Sequence, residues 1–226
     1  MYYFASDIHL GAGDAATARA VERRFVAWLD DAARDAEAIF LVGDIFDFWF
    51  EYRRVVPKGF VRTLEIHTSP EVMTLSGKKV FIAHGDNMKI DGQPMLKFLN
   101  RIFRSRTLRW LFSWGVHPDW ALRFGHWWSG RSRKGHGEEA ARGASLTEPY
   151  TGSSEPHTEP LVEYAREYSR THAVDLFVFG HMHFPRDCRE GRLHVVNLGC
   201  WAENPSYAVL DAAGGLTLKM PGKTSV

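Results

Sequence analysis

Cysteine is nearly missing from this chain, with only Cys188 and Cys200 among 226 residues. Two thiols and no CxxC pair leave no disulfide framework and no cysteine-built zinc knuckle to hold the fold. A reducing compartment suits that usage. Long apolar runs are missing as well. Nothing approaches the roughly 18 apolar residues of a membrane span. MYYFASDIHL meets an aspartate where a signal peptide would need a basic start and a long apolar core. The expected location is therefore cytoplasmic, free or bound to a membrane from its cytosolic side. Neither sign of charge dominates: Lys and Arg number 28 against 27 Asp and Glu, so the balance of +1 gives no reason to expect a nucleic-acid partner. HExxH is absent too, which removes the zinc-protease reading.

The length suits one domain with room for an insertion, and a hydrophobic fraction of 45% can fill a core. Residues 2–6, 15–36 and 38–42 read as strand, helix and strand. Val21, Phe25, Trp28 and Leu29 recur at helical spacing and form one apolar stripe. Residues 72–75 and 79–83 flank Ser76-Gly77 as a predicted hairpin, the second arm being the more apolar. A helix is expected at 161–171, after SLTEPYTGSSEPHTEP, an irregular loop rich in Pro, Ser, Thr and Gly. Short strands return at 176–179, 193–198, 207–211 and 216–219. The expected fold class is α/β, with a layered core drawn from 1–90 and 174–226 and a helical insertion over 91–173.

What the chain does have is histidine and aspartate at strand ends. Asp7-Ile8-His9 follows YYFAS, Gly43-Asp44 follows AIFLV, His84-Gly85-Asp86 follows KKVFIA, and Gly180-His181-Met182-His183 follows DLFVF. Such apolar runs make buried parallel strands, and open α/β sheets present ligand sites at the carboxyl ends of those strands. Asp-x-His is expected to put two side chains on one face of an extended segment, because side chains alternate along a strand. His181 and His183 repeat the arrangement, with Gly180 allowing a tight turn. Imidazole and carboxylate together suit borderline divalent ions such as manganese, iron, zinc or cobalt. Asp44 can offer one oxygen to each of two ions about 3.5–4 Å apart, a pair able to deprotonate a water and neutralise phosphoryl oxygens. The chemistry read from this pattern is hydrolysis of a phosphoester or phosphoanhydride. Any one of these histidines alone could be a polar strand cap; four clusters together are not explained that way. Asp47 either orients a ligand as an acceptor or caps a turn. His67, His117, His126, His136, His157, His172 and His194 fall outside the pattern and read as surface or packing residues.

Between Lys97 and Lys134 nine basic residues stand against a single acid, Asp119, and five of the eight tryptophans fall in the same stretch. Arginine interleaved with Trp, Phe and Leu, as in TLRWLFSWGVHPDWALRFGHWW, suits a helix lying at an anionic lipid surface. It also suits an amphipathic pair whose tryptophans make their own core, and clustered cations attract nucleic-acid phosphates.

DIH, GDIFD, HGD and GHMH in this order resemble the calcineurin-like metallophosphoesterases, over well more than half of the chain. Within that superfamily, SDIHL at the N-terminus, GDIFDFW and IAHGDNMKIDGQP are similar to the UDP-2,3-diacylglucosamine pyrophosphatases of lipid A biosynthesis. The resemblance implies the metallophosphoesterase fold, a layered β-sandwich core flanked by helices with a helical cap inserted. It implies two divalent ions, manganese first among the candidates, with Asp7, His9, Asp44 and His183 holding one and Asp44, His84 and His181 the other. It favours the lipid reading of the basic stretch: a nucleotide-linked glycolipid substrate whose acyl chains the cap shelters, an anionic membrane surface on the cytosolic face of the inner membrane, and no nucleic acid. Asp91, Ser132, Arg133 and Lys134 are then the candidates for contacting nucleotide or phosphates. The implied reaction splits the pyrophosphate of UDP-2,3-diacylglucosamine into UMP and 2,3-diacylglucosamine 1-phosphate.

One family motif has no counterpart. Between GDIFD and HGD the family carries a further helix and strand ending in GNHD or GNRD, whose asparagine binds the second ion and whose next residue faces the phosphate. No Gly-Asn pair occurs in this chain, so no catalytic histidine can be named. The helical pattern begun at Gly59 stops by Ile66 without a cap. That favours a stretch dropped out near Leu64 and Glu65 over a true loss of the ligand, and an intact mass above 25.7 kDa would mark the former. The rival functions are a metallophosphoesterase acting on a soluble nucleotide or phosphodiester, and a catalytically impaired homologue that binds a partner through the cap.

Overall fold

The structure, a computed structural model, describes residues 1–47, 67, 69–86, 88, 105, 107, 110, 120 and 160–222. In chain order its elements are β1 (Tyr2–Ala5), α1 (Ala15–Ala32), β2 (Ala38–Leu41), β3 (Glu71–Leu75), β4 (Lys78–Ala83), α2 (Pro160–Tyr168), β5 (Leu176–Phe179), β6 (Arg186–Glu190), β7 (Leu193–Asn197), β8 (Tyr207–Leu210) and β9 (Leu216–Lys219). Strands β2-β1-β8-β9 form one sheet, and β3-β4-β5-β7-β6 form the other. β1 runs parallel to β2, and β4, β5 and β7 run parallel to one another. The histidine and aspartate clusters begin at the carboxyl ends of β1, β2, β4 and β5.

Alternation along the strands sorts side chains into three layers of core. Phe4, Val80, Val178, Val196, Ala208, Leu210 and Leu216 pack between the two sheets. Ala5 points the other way, towards Val21, Phe25, Trp28 and Ala32 of α1 and the buried indole of Trp201. On the far side, Phe81, Phe177, Phe179 and Val195 receive Leu161, Val162 and Ala165 of α2. Each large apolar side chain buried in this way contributes about 1.5–3 kcal/mol. The result is helix, sheet, sheet, helix, the layered sandwich expected from the sequence.

Local chemistry sets the element ends. Asp14 caps α1 by accepting the Thr17 N–H at 2.8 Å. The helix stops at Ala32, short of the expected residue 36, because the N–H groups of 33–36 turn back onto Leu29, Asp31 and Ala32 carbonyls and Glu37 N–H then reaches Met1 O at 2.8 Å. That last bond draws the chain into the β1–β2 pair. Ser76 and Gly77 both take left-handed backbone, φ 47° and 72°, as a two-residue hairpin requires. β6 has no counterpart in the sequence reading: RDCRE buries only Cys188 and lies at a sheet edge, where charge is tolerated on exposed faces. Among the described residues, no helix is long and apolar enough to cross a membrane. Most of the stretch 91–173, and the region around Leu64 and Glu65, lie outside the described residues.

Candidate metal centre

Asp7 and His9 stand just past β1, Asp44 past β2, His84 past β4, and His181 and His183 past β5. Strand alternation is not what brings them together, contrary to the expectation for the two x-spaced pairs. Asp7, His9, Asp44, His181 and His183 all take left-handed backbone, with φ of 54°, 49°, 46°, 72° and 59°. Each such residue costs about 1–2 kcal/mol, so the surrounding structure must impose it. Main-chain bonds between the loops do so: Asp7 N–H to Gly43 O at 3.2 Å, His9 N–H to Asp44 O at 3.0 Å, Gly180 N–H to His84 O at 3.0 Å and Trp201 N–H to Asp7 O at 3.0 Å. Two glycines clear the space. A Cβ on Gly43 would meet His84 Nδ1 at 2.5 Å, and one on Gly180 would meet Ser6 Oγ at 2.0 Å and Asp7 Oδ2 at 2.7 Å.

Asp7 is wholly buried. Its Oδ2 accepts the Ser6 hydroxyl and, at 2.9 Å, the His181 N–H. Its Oδ1 accepts no hydrogen bond, and lies 3.3 Å from His183 Nε2 and 3.9 Å from His9 Nε2. Those two Nε2 atoms face each other at 3.2 Å. Burial alone would raise the Asp7 carboxyl, but the His183 imidazole beside it, the His84 charge and the Ser6 hydroxyl together hold it below the usual range.

Asp44 and His84 form the more open part. Asp44 Oδ2 is 3.4 Å from His84 Nε2, and the Asp44 side chain is 49% exposed against 16% for His84. His84 Nδ1 donates to the Val42 carbonyl at 2.9 Å, which turns Nε2 towards Asp44. The His181 ring packs edge-on against His84 with centroids 5.2 Å apart. Burial works against the Asp44 carboxylate, yet its hydrogen bond to His84 and the neighbouring His84, His9 and His181 charges hold it well below the carboxylate range. Burial likewise lowers His84, but the Asp44 hydrogen bond and the charges of Asp7 and Asp44 raise it to about 9.

A buried carboxylate oxygen without a donor is costly, and a cation beside it would satisfy it. Two imidazole nitrogens facing each other beside that oxygen complete a donor set that fits a borderline divalent ion. Among the described residues, two trios bring donor atoms within 4.8 Å of one another: Asp7, His9 and Asp44, and His9, His183 and Cys200. Cys200 is not among the ligands expected from the sequence, although Gly199-Cys200 follows β7 just as Gly43-Asp44 follows β2; the strand-end pattern takes in only histidines and aspartates. Asp47 Oδ1 lies 3.9 Å from His9 Nδ1. His67, His172 and His194 stand apart from the cluster, beside Glu71 at 3.2 Å, stacked on Tyr168 and beside Asp187 at 2.8 Å. Asp91, Ser132, Arg133, Lys134, His117, His126, His136 and His157 lie outside the described residues.

No protein-family model matches the chain. A UDP-2,3-diacylglucosamine hydrolase of Porphyromonas gingivalis (strain ATCC BAA-308 / W83) is 32% identical over 92% of this chain and 93% of its own length. The enzyme of the same name from Serratia proteamaculans (strain 568) is 22% identical over 96% and 98% of the two chains. The first alignment runs over 246 positions, more than the 226 residues present here, so that relative carries internal segments without counterpart in this chain. Among solved structures, a single mutant of Vps29 from Entamoeba histolytica aligns over 96% of this chain and 89% of its own at 13% identity and a TM-score of 0.41, too loose a likeness to add to the sequence relationship.

Proposed function

Because the chain belongs to the family of UDP-2,3-diacylglucosamine hydrolases, we propose that it splits the pyrophosphate bond of UDP-2,3-diacylglucosamine with the help of divalent ions, giving UMP and 2,3-diacylglucosamine 1-phosphate. The observation that supports this most is the Asp7 Oδ1 atom, buried, without a donor, and facing the Nε2 atoms of His9 and His183. Asp7, His9, Asp44 and His183 hold one ion in this reading; Asp44, His84 and His181 hold the other. Manganese is the expected metal. When bound, the ions supply Lewis-acid neutralisation of phosphoryl charge and activation of water.

The protein's own residues do the positioning. Ser6 O–H and His181 N–H fix one oxygen of Asp7 and leave the other free. The Val42 carbonyl fixes the His84 tautomer so that Nε2 faces the site. Asp91, Ser132, Arg133 and Lys134 contact the nucleotide or the phosphates. The part of 91–173 that precedes α2 caps the site, shelters the acyl chains and rests on an anionic membrane from its cytosolic side in this reading, whereas α2 itself packs on the second sheet as part of the core. Trp110 and Trp120, 58% and 73% exposed, support a surface that meets lipid.

The test is UMP release from UDP-2,3-diacylglucosamine by protein stripped of metal and reloaded with manganese. Release that stops on chelation is expected. No release with any divalent ion would overturn the reading: turnover of a soluble diester alone would then favour a general phosphoesterase, and glycolipid binding without turnover would favour an impaired homologue.

A further inference from the structure

Among the described residues, Cys200 is the thiol beside the centre, and the proposed reaction does not use it. It is fully buried, and its Sγ lies within 4.8 Å of a ring nitrogen of both His9 and His183. Its position is imposed from two sides. Cys200 N–H donates to the His183 carbonyl at 3.3 Å, and the next residue, Trp201, donates to the Asp7 carbonyl at 3.0 Å. On its other flank Gly199 is closely packed, since a Cβ there would meet Asn204 O at 2.4 Å and Ser206 Oγ at 2.8 Å. The thiol is thus tied to the same two loops that carry the orphaned Asp7 Oδ1 and the His183 imidazole.

We propose that Cys200 is a donor to the ion held by Asp7, His9 and His183, and that it makes this half of the centre select zinc, cobalt or ferrous iron over manganese. The inference rests on the reading of these residues as a metal site and revises the metal expected there. A soft thiolate strengthens binding of those ions much more than of manganese, which prefers oxygen. In forming the bond the thiol loses its proton to solvent and the sulfur lone pair goes to the ion, so no oxidant or reductant is needed. The second cysteine offers an internal control. Cys188 sits on β6 within the apolar layer under α2, away from the centre.

The experiment is cobalt(II) loading of the metal-free full chain, followed by absorption spectroscopy. Visible ligand-field bands report that cobalt has bound at all; a sulfur-to-cobalt charge-transfer band in the near ultraviolet reports the thiolate. The wild type and Cys188→Ser are expected to show both, whereas Cys200→Ser and Cys200→Ala keep the visible bands and lose the ultraviolet one. Competition with a chromophoric chelator should show zinc affinity falling by about tenfold or more in Cys200→Ser, with manganese affinity moving far less. Visible bands without the charge-transfer band in the wild type would overturn the proposal and leave the metal site standing. No visible bands at all would overturn both. Because the wild-type spectrum is decisive by itself, a misfolded variant would not rescue the idea.

Discussion

The two halves of the centre are built differently. Around Asp7, His9 and His183 the side chains are buried and the loops are tied to each other by main-chain bonds that reach β1, β2, β5 and the turn after β7. Around Asp44 and His84 the same main-chain bonds hold the backbone through Asp44 O and His84 O, but the carboxylate is half exposed and the side-chain pair is oriented by its own attraction and the bond from His84 Nδ1 to the Val42 carbonyl. Asp44, His84 and His181 also do not draw their donor atoms together as closely as the two trios built around His9. The fold therefore prepares one half in advance and leaves the other to be completed. The difference matters because preorganisation lowers the cost of binding an ion. The buried half should fill first and hold its ion longer.

Asp44 belongs to both halves, so changing it should have the largest effect. Asp44→Asn keeps the shape and removes the charge. Turnover is expected to fall by about 10³-fold or more, the scale of losing a principal electrostatic stabiliser, with the melting temperature falling only by what the Asp44–His84 pair contributes to the fold. Near-normal UMP release from this variant would sink the bridging role.

A matched pair of glycine substitutions separates the halves. Gly180→Ala drives a methyl into Ser6 and Asp7, and Gly43→Ala drives one into His84 at a backbone φ of 92° that disfavours any side chain. Each should lower bound metal, measured by elemental analysis, from two ions per chain to one. The ion lost from Gly180→Ala should be the one that resists dialysis longest in the wild type; that lost from Gly43→Ala should be the weaker. Identical dissociation from both variants would erase the distinction between the halves.

Much of this arrangement is legible in the chain because apolar runs and the residues that follow them are local features. YYFA, AIFL, KKVFIA and LFVF form β1, β2, β4 and β5, and the histidines and aspartates after them come together at the parallel strand ends. The cause of that convergence is not the expected one. Asp7 and His9 align through left-handed backbone, which only bonds between distant loops can impose, and spacing along one strand carries no trace of such bonds. β6 escapes a sequence reading for a related cause: an edge strand with one buried residue has no apolar signature. Cys200 is visible as Gly-Cys after a strand, but its relation to His9 and His183 depends on the turn after β7 folding back across both sheets.

A smaller effect is expected from Ser6, whose hydroxyl lies between Asp7 Oδ2 and the Val42 carbonyl and so links the two halves. Ser6→Ala leaves every side chain proposed to bind an ion in place and removes only that support. Metal affinity should fall by about tenfold, more for the buried half than for the open one. Titration calorimetry on metal-free protein would resolve the two sites, and equal losses at both would assign Ser6 to general packing.

The smallest effect is one of pH, and it separates the halves without touching the first. His84, at about 9, holds its proton more tightly in the folded chain than its ordinary value of 6.5 would allow. A raised value of this kind stabilises the fold fully below about 6.5, and the contribution is lost as pH rises through 9. With chelator present, the melting temperature should therefore fall between pH 6.5 and 9.5. An ion competes with that proton for Nε2, so with manganese at saturation the decline should shrink or reverse over the same range. His84→Gln cannot titrate and should flatten the chelated profile, while His9→Gln, on the buried side, should keep it. A wild-type slope that persists in His84→Gln would mean that the open half is not where the pH dependence resides.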